Sequence, residues 1–136
     1  MNPCADILII DDDKDFCHLL TDLFKKRSIL ARSAQSWKEG WDYIRTLKPK
    51  LILLDNCLPD GLGINQITQI KKNDASARVM VISGQCSPGI EHRAIAAGAD
   101  YFCEKPFNFY KVAEMIQFWM KKSFSTVNPG PFSSTM

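Results

Sequence analysis

Three consecutive aspartates, Asp11, Asp12 and Asp13, follow the apolar run Ile7–Ile10, and a fourth, Asp55, follows Leu51–Leu54. Ser83 ends the run Val79–Ile82 and precedes Gly84, while Lys105-Pro106 comes just past Tyr101–Cys103. Carboxylates gathered in one place repel by about 4 kcal/mol per pair at about 4 Å and an effective dielectric of ~20. A divalent cation removes that conflict. Few, hard oxygen ligands at an open face suit Mg2+, with Mn2+ as the alternative ion, and Mg2+ favours a site shared with a phosphate. Lys105 adds a compact positive charge and Ser83 a hydrogen-bond donor. Phosphoryl transfer depends mainly on such positioning and charge neutralisation. In that chemistry Asp55 is the nucleophile and carries the phosphoryl group as an acyl phosphate.

Taken singly, these residues have ordinary explanations. Asp13 suits a helix N-cap, Ser83 a turn, and Lys105 a solvated surface. Their joint meaning depends on what brings them together. Ile7–Ile10, a weaker strand over Ile29–Ala34, then Leu51–Leu54, Val79–Ile82 and Tyr101–Cys103 read as strands. Between and after them lie helical stripes: Phe16, Leu19, Leu20, Leu23 and Phe24; Trp37, Trp41, Ile44 and Leu47, closed by Pro49; Ile64, Ile67 and Ile70; Ile90–Ala97, stopped by Gly98; and Val112, Met115, Ile116 and Trp119. Strict alternation of strand and helix predicts a parallel sheet with helices on both faces, an α/β/α three-layer sandwich with right-handed crossovers. In such a sheet, ligands bind outside the carboxyl ends of the strands. That is where the acids, the hydroxyl and the ammonium would meet.

A chain of 136 residues suits one domain, and its net charge of +2 is too small to argue for nucleic acid or membrane binding. Lys25-Lys26-Arg27, Lys71-Lys72 and Lys121-Lys122 fall near helix ends, where they favour the negative end of the dipole. The five cysteines, Cys4, Cys17, Cys57, Cys86 and Cys103, include no C-x-x-C pair and lie in no ligand spacing with His18 or His92. Reduced thiols and a cytoplasmic location are expected. The N-terminus lacks the charge pattern of a signal peptide, and no stretch approaches the ~20 apolar residues of a membrane span. Residues 1–122 are read as one domain, and 123–136, rich in Ser and Pro, as a tail or the start of a linker.

Residues 5–121 closely resemble the receiver (response regulator) domain of two-component signalling. ILIIDDD matches its acidic pair, LLDNCLPDGLG its phosphoacceptor segment, VISG its hydroxyl residue and DYFCEKPF its lysine. The resemblance implies a flavodoxin-like, five-stranded sheet of order 2-1-3-4-5, an arrangement the receiver fold shares with flavodoxin. It implies that Asp55 accepts a phosphoryl group from a sensor histidine kinase, a phosphotransfer protein or a small phosphodonor. Asp12 would bind Mg2+ directly and Asp11 through water, and the Cys57 backbone carbonyl would complete the protein ligands. Ser83 and Lys105 would contact the phosphoryl oxygens. Ser83 and Phe102 would act as the switch pair that remodels the face of helix 4, strand 5 and helix 5 to control an output partner or domain. Cys57 and Gln85 would tune dephosphorylation, and Lys105-Pro106 matches a cis peptide of the family. A domain of this kind catalyses only its own phosphotransfer and dephosphorylation. A phosphorylation-dependent homodimer belongs to the expectation, and direct nucleic-acid binding by this domain does not.

Some positions depart from the pattern. Leu62 stands where many receivers place an aspartate, so the cap of the third helix must come from elsewhere. Ser83 replaces the commoner threonine, and a phenylalanine at 102 can use only packing. Trp37 and Trp41 are read as core or flank packing. Three rivals remain. A haloacid-dehalogenase-like phosphatase would need acidic ligands after its lysine, and no aspartate follows Lys105. A flavodoxin-like FMN protein would need a Ser/Thr/Gly phosphate loop where DDDKD stands. A degenerate receiver would serve only as an interaction module, and such domains usually lose part of the acidic site or the lysine.

Overall fold

Strands with branched apolar side chains on both faces can exist only inside a covered sheet. Ile7–Ile10 (β1), Leu51–Asp55 (β3) and Arg78–Ser83 (β6) have this character, and all but Arg78 are buried. The computed structural model describes residues 5–84, 88–105 and 108–122, with side chains to Met120. Ala31–Ala34 (β2) and Tyr101–Glu104 (β7) complete one five-stranded, all-parallel sheet of order β2-β1-β3-β6-β7. Two-residue strands Cys57–Leu58 (β4) and Gly61–Leu62 (β5) pair antiparallel with each other in a separate hairpin. Counting the main sheet alone, the order is the expected 2-1-3-4-5.

Alternation along each strand sends side chains to two cores. Ile7, Ile9, Leu51, Leu53, Met80 and Ile82 face the helices Lys14–Lys26 (α1) and Phe109–Lys122 (α5). Leu8, Ile10, Ile52, Leu54, Val79 and Val81 face Trp37–Leu47 (α2), Ile67–Asn73 (α3) and Ile90–Ala96 (α4). The structure is thus a three-layer α/β/α sandwich. Trp37 and Trp41, stacked with ring centroids 5.6 Å apart, are half-buried against the second core, as expected of packing residues.

The register delivers strand ends to one edge. Ile10 pairs with Leu54, and Asp55 with Ile82, so Asp11 and Asp55 follow neighbouring positions and Ser83 lies one residue beyond the partner of Asp55. Asp55 and Ser83 are the last residues of their strands rather than the first of the loops. β2 begins two residues later than expected, because Ile29 and Leu30 form the approach to this more exposed edge strand. The third helix opens as a 3-10 turn over Gly63–Gln66 before α3.

Helix starts are capped by local chemistry. Asp13 accepts from the Phe16 N–H at 3.1 Å, as its position predicts. In α2, Ser36 Oγ accepts from Glu39 N–H at 3.2 Å, and both oxygens of Asp60 accept from Trp37 N–H (2.8 Å) and Lys38 N–H (3.0 Å). Asp60 lies in the β4–β5 turn, so the segment after Asp55 is tied to the start of α2. Its carboxyl is held below the usual range chiefly by the Trp37 N–H. Gly40 lets α2 approach β1: a Cβ there would lie 2.5 Å from Ile10 Cδ1. No described helix is long and apolar enough to cross a membrane. The tail, from residue 123, lies outside the described residues.

Candidate functional site

Asp11 is fully buried just past β1. Its Oδ1 accepts from the Asp13 N–H at 3.0 Å and its Oδ2 from Lys105 Nζ at 2.5 Å. Asp55, at the end of β3, is 5% exposed. Its Oδ1 accepts from the Cys57 N–H at 3.2 Å, and its Oδ2 lies 4.0 Å from Lys105 Nζ. Asp12 points to solvent, and one ligand oxygen from each of Asp11, Asp12 and Asp55 lies within 4.8 Å of the others. Two buried acids and one exposed acid thus open on water at one point. This donor set, all hard oxygen, fits a small divalent cation.

The electrostatics follow from burial. The Asp55 carboxyl is pushed up to about 7, first by its removal from water and then by the charge of Asp11, against the pull of Lys105 and the Cys57 N–H. Burial pulls the Lys105 ammonium down, but the hydrogen bond and charge of Asp11, with the charges of Asp55 and Asp13, leave it above its ordinary value. Lys105 is therefore a cation, and its backbone N–H separately donates to Ser83 O at 2.8 Å. Its Nζ stands 4.2 Å from the centroid of Phe16, within cation–π range. The Phe16 ring in turn tilts against Phe109 at the start of α5.

Asp11, Asp12, Asp55 and Lys105 are brought to one place, and Ser83 closes the strand whose last C=O accepts from the Lys105 backbone N–H. Cys57 is exposed on the hairpin beside them. Phe102 is buried in the core that faces α2, α3 and α4, while its neighbour Tyr101 stacks on Trp119 in the other core. Gln85 lies outside the described residues, as do Cys4, Cys86 and Pro106, and with Pro106 the Lys105-Pro106 bond. Cys17 and Cys103 are buried thiols, each pushed up to about 11 mainly by burial. A buried thiol so raised is inert.

Sequence reasoning missed three participants. Phe16 enters the sequence pattern only within a helical stripe, and Asn56 and Asp60 only inside the LLDNCLPDGLG segment. Asn56 Oδ1 accepts from the Ile64 N–H at 3.1 Å and so supplies the cap that Leu62 cannot. Its signal was faint: an amide between the strand-end acid and the turn.

The family model described as "Response regulator receiver domain" matches residues 7–117. The chemotaxis protein CheY of Thermotoga maritima is 32% identical over 111 residues, covering 81% of this chain and 92% of that protein. The KDP operon transcriptional regulatory protein KdpE of Escherichia coli is 28% identical over 127 residues, covering 93% of this chain but only 56% of the relative. Among solved structures, the beryllofluoride-activated NtrC4 receiver domain dimer superposes with a TM-score of 0.78 at 30% identity, covering 86% of this chain and 97% of that one.

Proposed function

The chain belongs to the response regulator receiver family, and on that premise we propose that it is a phosphorylation-controlled switch in which Asp55 is the phosphoacceptor. Asp55 Oδ2, the oxygen not engaged by the Cys57 N–H, is the nucleophile. It attacks the phosphorus of a phosphohistidine on a sensor histidine kinase or phosphotransfer protein. The P–N bond breaks, an acyl phosphate forms, and the imidazole leaves. The observation that carries this reading is the triangle formed by buried Asp11 and Asp55 with the half-buried Lys105 at the carboxyl edge of the sheet.

Each residue has a task set by its position. Asp11, Asp12, Asp55 and the Cys57 carbonyl are the proposed holders of Mg2+ or Mn2+, which when bound neutralises charge on the acids and the phosphoryl oxygens. Ser83 donates to a phosphoryl oxygen. Lys105, whose Nζ lies 4.0 Å from Asp55 Oδ2, contacts another. Cys57 and Gln85 flank the path of the hydrolytic water and set the lifetime of the phosphoryl group.

Ser83 and Phe102 form the proposed switch to the face of α4, β7 and α5, where an output domain or partner binds. Phe102 already lies inside, 1% exposed. A ring without a hydroxyl loses no hydrogen bond by burial, so the inward position is cheap in this chain. A phosphorylation-dependent homodimer and a cytoplasmic location accompany the reading.

The test is intact mass after incubation with acetyl phosphate and Mg2+. An adduct of about 80 Da, the mass of one phosphoryl group, is expected on the wild type, and none on Asp55→Asn or with EDTA. An unmodified wild type would leave only a protein-interaction role.

A further inference from the structure

The turn after Asp55 is built on Asn56. Its N–H donates to Ile82 O at 3.0 Å, its C=O accepts from Gly63 N–H at 2.8 Å, and its Oδ1 accepts from Ile64 N–H. The residue is buried. Gly63 and Ile64 open the 3-10 turn, whose N-cap residue Leu62 makes no side-chain cap bond and is exposed. Asn56 therefore caps this turn from eight residues upstream.

That cap reaches the acidic site through one peptide. The C=O of Asn56 and the N–H of Cys57 belong to the same planar trans unit and point in opposite directions. Gly63 holds the first, and the second donates to Asp55 Oδ1. The turn also lies directly on the strand, since a Cβ on Gly63 would fall 2.4 Å from Asp55 O. Rotation of the peptide would break the bond that holds the Asp55 carboxylate and reset the backbone leading into Cys57, whose own carbonyl begins the next peptide unit. A neutral amide performs this task, so no further negative charge is added beside Asp11, Asp12 and Asp55.

We infer that Asn56 is a positioning residue of the acidic site: by capping the Gly63–Gln66 turn it fixes the Asn56–Cys57 peptide, and so aims Asp55 and the Cys57 carbonyl at the cation. This rests on the proposed reading of Asp11, Asp12 and Asp55 as a divalent-cation site.

Mn2+ binding to the full chain, followed by electron paramagnetic resonance, tests it with four proteins: wild type, Asn56→Val, Leu62→Asp and the double variant. Leu62 already has the extended backbone of an N-cap, so an aspartate there can accept from Ile64 N–H. Asn56→Val is expected to weaken Mn2+ binding by about tenfold, as loss of a support behind metal ligands does. The double variant is expected to bind as Leu62→Asp alone does, because both carry the same added charge and a cap. If the wild type does not bind Mn2+, the cation reading itself fails. If it binds, and a cooperatively folding Asn56→Val binds equally well, the positioning role fails. Where Asn56→Val does not fold, the double variant decides: wild-type-like folding with binding equal to that of Leu62→Asp supports the role. A double variant that is unfolded, or folded with weakened binding, overturns it.

Discussion

Lys105 Nζ lies 2.5 Å from Asp11 Oδ2 but 4.0 Å from Asp55 Oδ2. The ammonium thus sits closer to the acid that is not the proposed nucleophile. Asp11 is fully buried and its partner is 22% exposed, so this is a largely desolvated pair. Breaking such a pair from one side leaves an uncompensated charge. Lys105→Met should destabilise the metal-free protein by on the order of 2–4 kcal/mol, below the limit for a fully buried pair because water reaches the lysine. A urea midpoint shifted down at unchanged slope would show it; an unshifted midpoint would mean that Asp11 finds its compensation elsewhere.

Asp55 makes stability depend on pH. Its folded carboxyl titrates at about 7 against an ordinary 3.8. Between those values the native state holds a proton that the unfolded chain has released, so stability falls as pH rises through the window. The contribution is on the order of a few kcal/mol at its full extent. Asp55→Asn should therefore raise the Tm of the metal-free protein at about pH 8 and have little effect at about pH 4. Mg2+ should recover much of the wild-type loss at the higher pH, since cation and proton compete for the same oxygens. Thermal melts with Mg2+ and with EDTA at both pH values measure this, and an equal gain at the two values would disprove the assigned titration.

Asp60 links the segment after the proposed phosphoacceptor to α2. Asp60→Ala removes the acceptors of the Trp37 and Lys38 N–H groups and should cost about 1 kcal/mol, a usual value for a lost cap. Hydrogen exchange should quicken at those two amides more than at Glu39, which Ser36 still holds. Uniform exchange along α2 would argue against a local clamp.

Gly63 leaves no room for a side chain. Its Cβ would stand 2.4 Å from Asp55 O and 2.9 Å from Leu54 Cγ. Gly63→Ala should lower stability by about 1–3 kcal/mol, the range of overpacked sites. It should also slow phosphorylation by acetyl phosphate, because the backbone of Asp55 must shift. A stable variant phosphorylated at the wild-type rate would show that the turn can move without disturbing Asp55.

Much of the architecture was legible in the sequence for a simple reason. Buried parallel strands such as Ile7–Ile10 and Leu51–Leu54 are continuous apolar runs, and their carboxyl ends converge by topology. Any polar residue closing such a run, as Asp11, Asp55 and Ser83 do, is thereby assigned to a shared edge. Lys105 was legible as the one cation just beyond a strand end. Contacts that depend on how loops fold back were hidden. Asn56 reaches Ile64, and Asp60 reaches Trp37 across 23 residues, with no periodicity to announce either bond. Phe16 fills a core position of α1 and only the structure puts its ring under Lys105. The β4–β5 hairpin has no signal in the sequence, since two-residue strands leave no pattern.

The central claim is that Asp55 carries the phosphoryl group, and the most direct measurement locates the modification itself. An acyl phosphate is reduced by borohydride to an alcohol, which marks the acceptor in a peptide permanently. The chain would be treated with acetyl phosphate and Mg2+, reduced, digested and sequenced by tandem mass spectrometry. Homoserine at position 55 alone is the expected result. Reduction at Asp11, Asp12 or Asp13 instead, or at no aspartate under conditions where Mg2+ is bound, would contradict it.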